Sequence, residues 1–141
     1  MKALLRAFGM FVVGVYFMLS IMTLGQMTII ETELNDSVSQ AVTSTQIAMR
    51  EQIEDRLYNT HNARTKFETS EDYYNYFINT LKETKTNKNV KYDVNIYAAD
   101  VEKGLLSVEV TAYYKRLDGT IIPAAQAPKC KKISIVDIIM D

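Results

Sequence analysis

The 141-residue sequence holds one cysteine, one histidine and two prolines. A single cysteine, Cys130, excludes a disulfide within the chain and leaves only a cross-link between two copies. Cys130 and His61 together cannot supply the four cysteine or histidine ligands of a structural zinc site. His61 stands among Asn59, Thr60, Asn62 and Arg64. As a general base it would need a positioned carboxylate and a nucleophile, and no motif supplies them. The sequence also lacks a Gly-rich phosphate loop, a Gly-x-Ser-x-Gly elbow and a calcium-loop pattern of carboxylates. No catalytic, cofactor-binding or metal residue is assigned, and the expectation is a protein that is not an enzyme and needs no cofactor.

Acidic side chains are missing from the first 30 positions, where the only charges are Lys2 and Arg6. All 17 acidic residues and 14 of the 16 basic ones follow, so residues 31–141 carry a formal charge of −3. A mildly acidic body lacks the basic face that nucleic acid requires, so no nucleic-acid partner is expected. The one basic knot is Lys129, Lys131 and Lys132. Lysines of this kind commonly guard an exposed strand edge.

What the sequence does have is a long apolar run. Ala7 to Ile30 is free of charge over 24 residues, which as a helix is roughly 36 Å, against about 30 Å of bilayer hydrocarbon. Ser20, Thr23 and Thr28 can return their hydroxyls to helical carbonyls, and Gly9, Gly14 and Gly25 are tolerated in spanning helices. Beyond the run the nearest basic residue is Arg50, with Glu31, Glu33 and Asp36 before it. The Lys/Arg bias at Lys2 and Arg6 therefore places residues 1–6 in the cytoplasm, 7–30 across a lipid bilayer, and 31–141 outside the cell membrane. Two other readings stay open: a secretory signal cut near Thr23-Leu24-Gly25, and a buried helix of a soluble fold. A secretory apolar region is typically about 7–15 residues, shorter than this one.

Residues 31–58 continue as a helix. Ile30, Leu34, Val38, Val42, Met49, Ile53 and Leu57 form its apolar stripe, with Thr45 in the gap. Its spacing drifts above 3.6, so the stripe should wind around the rod. The stripe can pack on the chain's own domain, on neighbouring subunits, or on both. No Pro or Gly occurs from Gln26 to Lys103, so nothing forces a break, although Asn35-Asp36-Ser37 could cap a fresh start; the same triplet matches the N-glycosylation pattern. A polar loop covers 59–69. Thr69 and Asp72 then suggest a capping box opening a second helix over 70–85, whose Tyr73, Tyr74, Tyr76, Phe77 and Leu81 read as core.

After Lys91 the apolar period becomes two. Strands are expected over about 90–98, 105–116, 120–123 and 131–139. The first pair is joined at Asp100-Val101-Glu102-Lys103-Gly104, with Gly104 as a left-handed residue, and the next pair at Leu117-Asp118-Gly119-Thr120. The fold class is thus α+β: a long N-terminal helix, a short second helix, and an antiparallel meander of three or four strands covered by the helix stripe.

This layout resembles the pilins and pseudopilins. DVEKGLLSVEVTAYYKRLDG and the later ISIVDI are similar to the C-terminal sheets of small Tad-type (tight-adherence) proteins of Gram-positive bacteria. The resemblance implies a bitopic, non-enzymatic subunit of a pilus or secretion apparatus. Its partners would be the bilayer and other pilin-like or secretion-apparatus subunits, with self-association through the N-terminal helix. It also implies a leader, MKALLRAFG, cut between Gly9 and Met10. The family carries Glu at the fifth position after the cut; here that position is Gly14. Without the resemblance, a stand-alone anchored binding or sensor module is the alternative, and an anchored hydrolase a more distant one.

Overall fold

The computed structural model describes residues 1–58 and 67–135. His61, most of the expected loop over 59–69 and the end of the expected last strand lie outside the described residues. The helix α1 runs unbroken over Lys2–Tyr58, followed by α2 over Ser70–Thr84. The strands are β1, Lys91–Asp100, β2, Leu105–Tyr113, and β3, Lys129–Ile135, in the order β1-β2-β3, all antiparallel. The class is α+β, with both helices on one face of a three-stranded sheet.

α1 does not restart at Asn35-Asp36-Ser37. With no Pro or Gly there, every backbone N–H can keep its helical partner, and Ser37 turns inward instead of capping. Hydroxyls in the charge-free half bond back as the sequence suggests, Ser20 to the Tyr16 carbonyl, Thr23 to Leu19 and Thr28 to Leu24, at 2.8–3.0 Å. At the head end of the helix the buried residues are Ile30, Leu34, Ser37, Val38, Ala41, Val42, Thr45, Ala48, Met49 and Gln52. They recur at a spacing of eleven: Ile30, Ala41, Gln52; Leu34, Thr45; Ser37, Ala48; Val38, Met49. Eleven residues in three turns is 3.67 per turn, so the stripe winds slowly in a right-handed sense along a straight helix.

α2 opens as a capping box. Thr69 Oγ1 accepts from the Asp72 N–H at 3.3 Å, and Asp72 Oδ2 accepts from the Thr69 N–H at 3.2 Å. Both orphan donors are thereby satisfied. Tyr73, Phe77 and Leu81 repeat every fourth residue and are all buried. Tyr73 donates its hydroxyl to the Gly104 carbonyl at 3.3 Å, tying α2 to the β1–β2 turn. In that turn Asp100 Oδ1 accepts from the N–H groups of Glu102 and Lys103, and Gly104 takes φ 64, which a side chain would resist.

β2 is the central strand. Its Leu106, Val108, Val110 and Ala112 are buried under the helices. β1 contributes Tyr92, Val94 and Ile96 on the same side, and β3 contributes Cys130 and Ser134. On the outer side Glu109 lies opposite Lys131, and the Lys131 ammonium sits 5.0 Å from the Tyr97 ring centre. Lys129, Lys131 and Lys132 are exposed on the edge strand β3, where they discourage further strand pairing.

Three expectations need correction. The strand expected over 120–123 is a single bridge between Lys115 and Ile121. Pro123 has no N–H to extend the ladder, and its carbonyl instead accepts from the N–H groups of Gln126 and Ala127. The expected second strand, 105–116, ends at Tyr113 because its partners run out: Lys91 opens β1 opposite Tyr113, and Lys129 opens β3 opposite Thr111. The buried stripe of α1 also stops short of its expected end. Ile53 is half-buried and Leu57 is 45% exposed, because the last turn passes beyond the cover of the head.

Candidate functional site

The residues after β2 build a collar around α1. Tyr114 and Ile122 are buried, and the Ile122 N–H donates to the Tyr114 carbonyl at 3.0 Å. Between them the chain reverses tightly. The Arg116 N–H donates to the Thr120 carbonyl at 2.8 Å, the Gly119 N–H donates to the Arg116 carbonyl at 3.0 Å, and Gly119 has φ 85. Asp118 Oδ1 accepts from both the N–H and the hydroxyl of Thr120, at 2.9 and 2.6 Å. Those bonds, with a smaller contribution from Arg116, hold the Asp118 carboxyl below its usual pKa. The Arg116 guanidinium donates to the Gln126 side chain, which closes the loop on itself. Pro128 then leads into β3, its carbonyl accepting from the Ala112 N–H at 3.0 Å.

The collar meets the helix below the packed stripe. Gln26 Nε2 donates to the Lys115 carbonyl at 3.0 Å, across 89 positions of sequence. Its Oε1 is buried with no hydrogen-bond partner among the described residues. Two open cavities flank this bond. One, about 810 Å³, lies between Leu19, Thr23, Leu24 and Met27 of the helix and the loop from Arg116 to Gln126. The other, about 660 Å³, is bounded by Gln26 and Ile30 and carries Lys88, Lys91 and Lys115 on its wall. Both volumes fall within the range of small-molecule sites, but their walls hold no nucleophile paired with a base.

A second polar tie closes the opposite end of the head. Gln52 Nε2 donates to the Phe67 carbonyl at 3.0 Å, and Gln52 Oε1 accepts from the Phe67 N–H at 2.6 Å. The glutamine amide thus acts as a strand partner for one residue. Phe67 is fixed as a hub, its ring centre 5.5 Å from Tyr73 and 5.3 Å from Tyr76.

Of the residues named from sequence, Lys2, Arg6, Gly9 and Met10 are exposed within α1, Lys2 and Arg6 in its opening turns. Gly9 has open space where a Cβ would project. Ile30, Leu34, Val38, Val42 and Met49 come together in the core. Cys130 is buried beneath the helices, and burial raises its pKa, so neither access nor thiolate character favours a link between copies. Among the described residues no three His, Cys, Asp or Glu side chains gather into a metal site.

Gln26 and Gln52 were not singled out from sequence. Gln52 had a signal in the eleven-residue spacing from Ile30 and Ala41, which places a polar residue on the core face. Gln26 had none, since its partner is a backbone carbonyl far along the chain. No family model, curated protein or solved structure matches this chain.

Proposed function

We propose that the chain is a non-enzymatic, single-pass membrane subunit of a cell-surface pilus or secretion apparatus. Its N-terminus would lie in the cytoplasm and its α+β head outside. One observation carries the reading: α1 is long and apolar enough to cross a membrane, and none of its most apolar stretch is buried by the rest of the chain. Phe8, Phe11, Phe17, Leu19, Ile21 and Met22 are each at least half exposed. Covering such a side chain gains about 1.5–3 kcal/mol, so a helix greasy on all sides requires lipid or other apolar helices around it. Lys2 and Arg6 at one end, and Glu31, Glu33 and Asp36 at the other, support the orientation. A helix whose lower part stands free and whose upper part carries an antiparallel sheet supports the pilin-like assignment. Gly14 in place of the family's glutamate points to an accessory rather than a major subunit.

The test is made on the full chain in its own cells. With Cys130→Ala as background, Ile29→Cys places a thiol on an exposed position of α1 just above the collar. The expected result is a chain that resists alkaline extraction from membranes and gives disulfide-linked products with itself or with another membrane subunit. An intact mass beginning at Met10 would add processing by a prepilin-type peptidase. Membrane retention with only monomer would favour the stand-alone binding or sensor module, a reading to which the Lys88–Lys91–Lys115 cavity lends some weight. Release by alkali would remove the anchor altogether.

A further inference from the structure

We infer that the collar loop, Lys115–Gln126, is a second membrane contact that dips into the outer leaflet beside the spanning helix. The inference rests on the anchor reading above and adds where the head sits. Hydrocarbon about 30 Å thick takes about 20 helical residues. Counted from Ala7, that reaches Gln26. Yet the loop faces Leu19, Thr23, Leu24 and Met27 across an open cavity, and most of these lie inside that limit. From Leu19 to Gln26 the helix rises roughly 10 Å, at 1.5 Å per residue. A head held at this level cannot stand clear of the bilayer. Either the apolar helix is pulled out into water, or the loop enters the interface.

The loop's composition favours entry. From Gly119 to Pro128 there is no charged residue. Leu117 and Ile121 are 55% and 65% exposed. The two charges that flank the tip are opposite in sign and hydrogen-bonded within the loop: Asp118 is held by Thr120 and lies near Arg116, and Arg116 is tied to Gln126. Farther up the helix, Lys88, Lys91 and Lys115 line the second cavity at the level of Gln26 and Ile30. That is headgroup height, where ammonium groups meet lipid phosphates and long side chains keep their charge in water. Leu117 on the lower cavity, Ile121 at the border and the cationic wall above match the layering of an anionic leaflet, which is why lipid is assigned as the occupant.

The sequence contains no tryptophan, so one introduced indole reports one place. Four variants of the full chain are reconstituted into phosphatidylcholine–phosphatidylglycerol vesicles with brominated acyl chains: Tyr16→Trp, Leu117→Trp, Ile121→Trp and Tyr97→Trp. Tyr16 is mid-span, and Tyr97 is exposed toward the far end of β1. The expected outcome is blue-shifted emission and loss of most fluorescence at positions 16, 117 and 121, with position 97 unaffected. If 16 is quenched while 117 and 121 behave like 97, the inference is wrong and the anchor stands. A blue shift at 117 and 121 without quenching would mean that a second copy, not lipid, covers the loop, and would also overturn it. An unquenched position 16 would remove the anchor itself.

Discussion

From Met1 to Leu24 every side chain of α1 is exposed, whereas from Ile30 to Gln52 ten are buried against the head. The backbone is the same continuous helix in both stretches, so helix propensity does not separate them. What differs is how the apolar residues are distributed. The lower half is apolar on every side, with no stripe to mark a single partner. The upper half gathers most of its apolar residues on one winding face, Ile47 being an exception, and exposes Glu31, Asp36, Arg50 and Glu51 on the other. The first pattern suits a medium, the second a surface. One rigid rod thus couples an apolar environment to a folded head without a hinge between them.

The sharpest way to break this comparison is to place the same charge in each half. Val38 is fully buried and Val13 is 68% exposed. Val38→Asp leaves a carboxylate without a partner in the core and is expected to cost at least about 4 kcal/mol, enough to unfold the head. Val13→Asp should leave the unfolding of the head in detergent unchanged, while weakening insertion by about 3 kcal/mol. Denaturant unfolding of the detergent-solubilised chain, set beside membrane partition, reads both. Equal loss of head stability from the two variants would mean that the halves are not independent.

Next in size is the tie at the top of the head. Gln52→Leu keeps an apolar volume but strips the Phe67 N–H and carbonyl of their Gln52 bonds. An expected loss of about 2–3 kcal/mol follows from two buried backbone groups made to go without these partners. Gln52→Glu should lose at least as much at neutral pH, because a buried carboxylate then faces the Phe67 carbonyl, and should recover at low pH, where the protonated carboxyl can donate to it.

The clad half also carries a pH signature that the bare half cannot share. Burial pushes the Tyr73 phenol up to about 12 from its ordinary 10. The raised value makes the folded state hold its proton longer than the unfolded chain does. The stability this confers is complete below pH 10 and is lost as pH rises from 10 through 12, by on the order of 2 kcal/mol. Tyr73→Phe should flatten that stretch of the stability–pH curve, at the cost of the bond to the Gly104 carbonyl.

Much of this layout was legible because periodicity is local. The capping box at Thr69 and Asp72, the left-handed Gly104 and the alternation in β1 each depend on neighbours a few positions apart, and each stands as the sequence suggests, whereas central β2 buries Ser107 and Thr111 along with its apolar positions. The winding of the stripe was readable too, though its end was placed at Leu57 instead of Gln52 and Ile53, since nothing local marks where a distant cover stops. Illegible were the two glutamine ties and the collar. Gln26 to Lys115 and Gln52 to Phe67 join a side-chain amide to backbone groups, which have no sequence identity to recognise. The short strand expected at 120–123 failed because alternation cannot tell a ladder from one bridge stopped by Pro123.

The smallest expected effect tests where the two halves of α1 meet. Among the described residues Gln26 makes one bond, to the Lys115 carbonyl, and buries Oε1 without a partner. Gln26→Leu loses the first, worth about 1 kcal/mol, and removes the second, a penalty of about 1–3 kcal/mol. The two nearly cancel, with a slight balance toward a more stable head, so the unfolding midpoint in detergent should hold steady or rise. In a bilayer the same change should deepen insertion, because an amide at the edge of the hydrocarbon is replaced by an apolar group. A clear loss of stability would mean that Oε1 is satisfied by a lipid headgroup or water at that level. The boundary between medium and head would then lie below Gln26, nearer Leu24, and the collar would ride higher on the membrane than the cavity it shares with Leu19 and Thr23 implies.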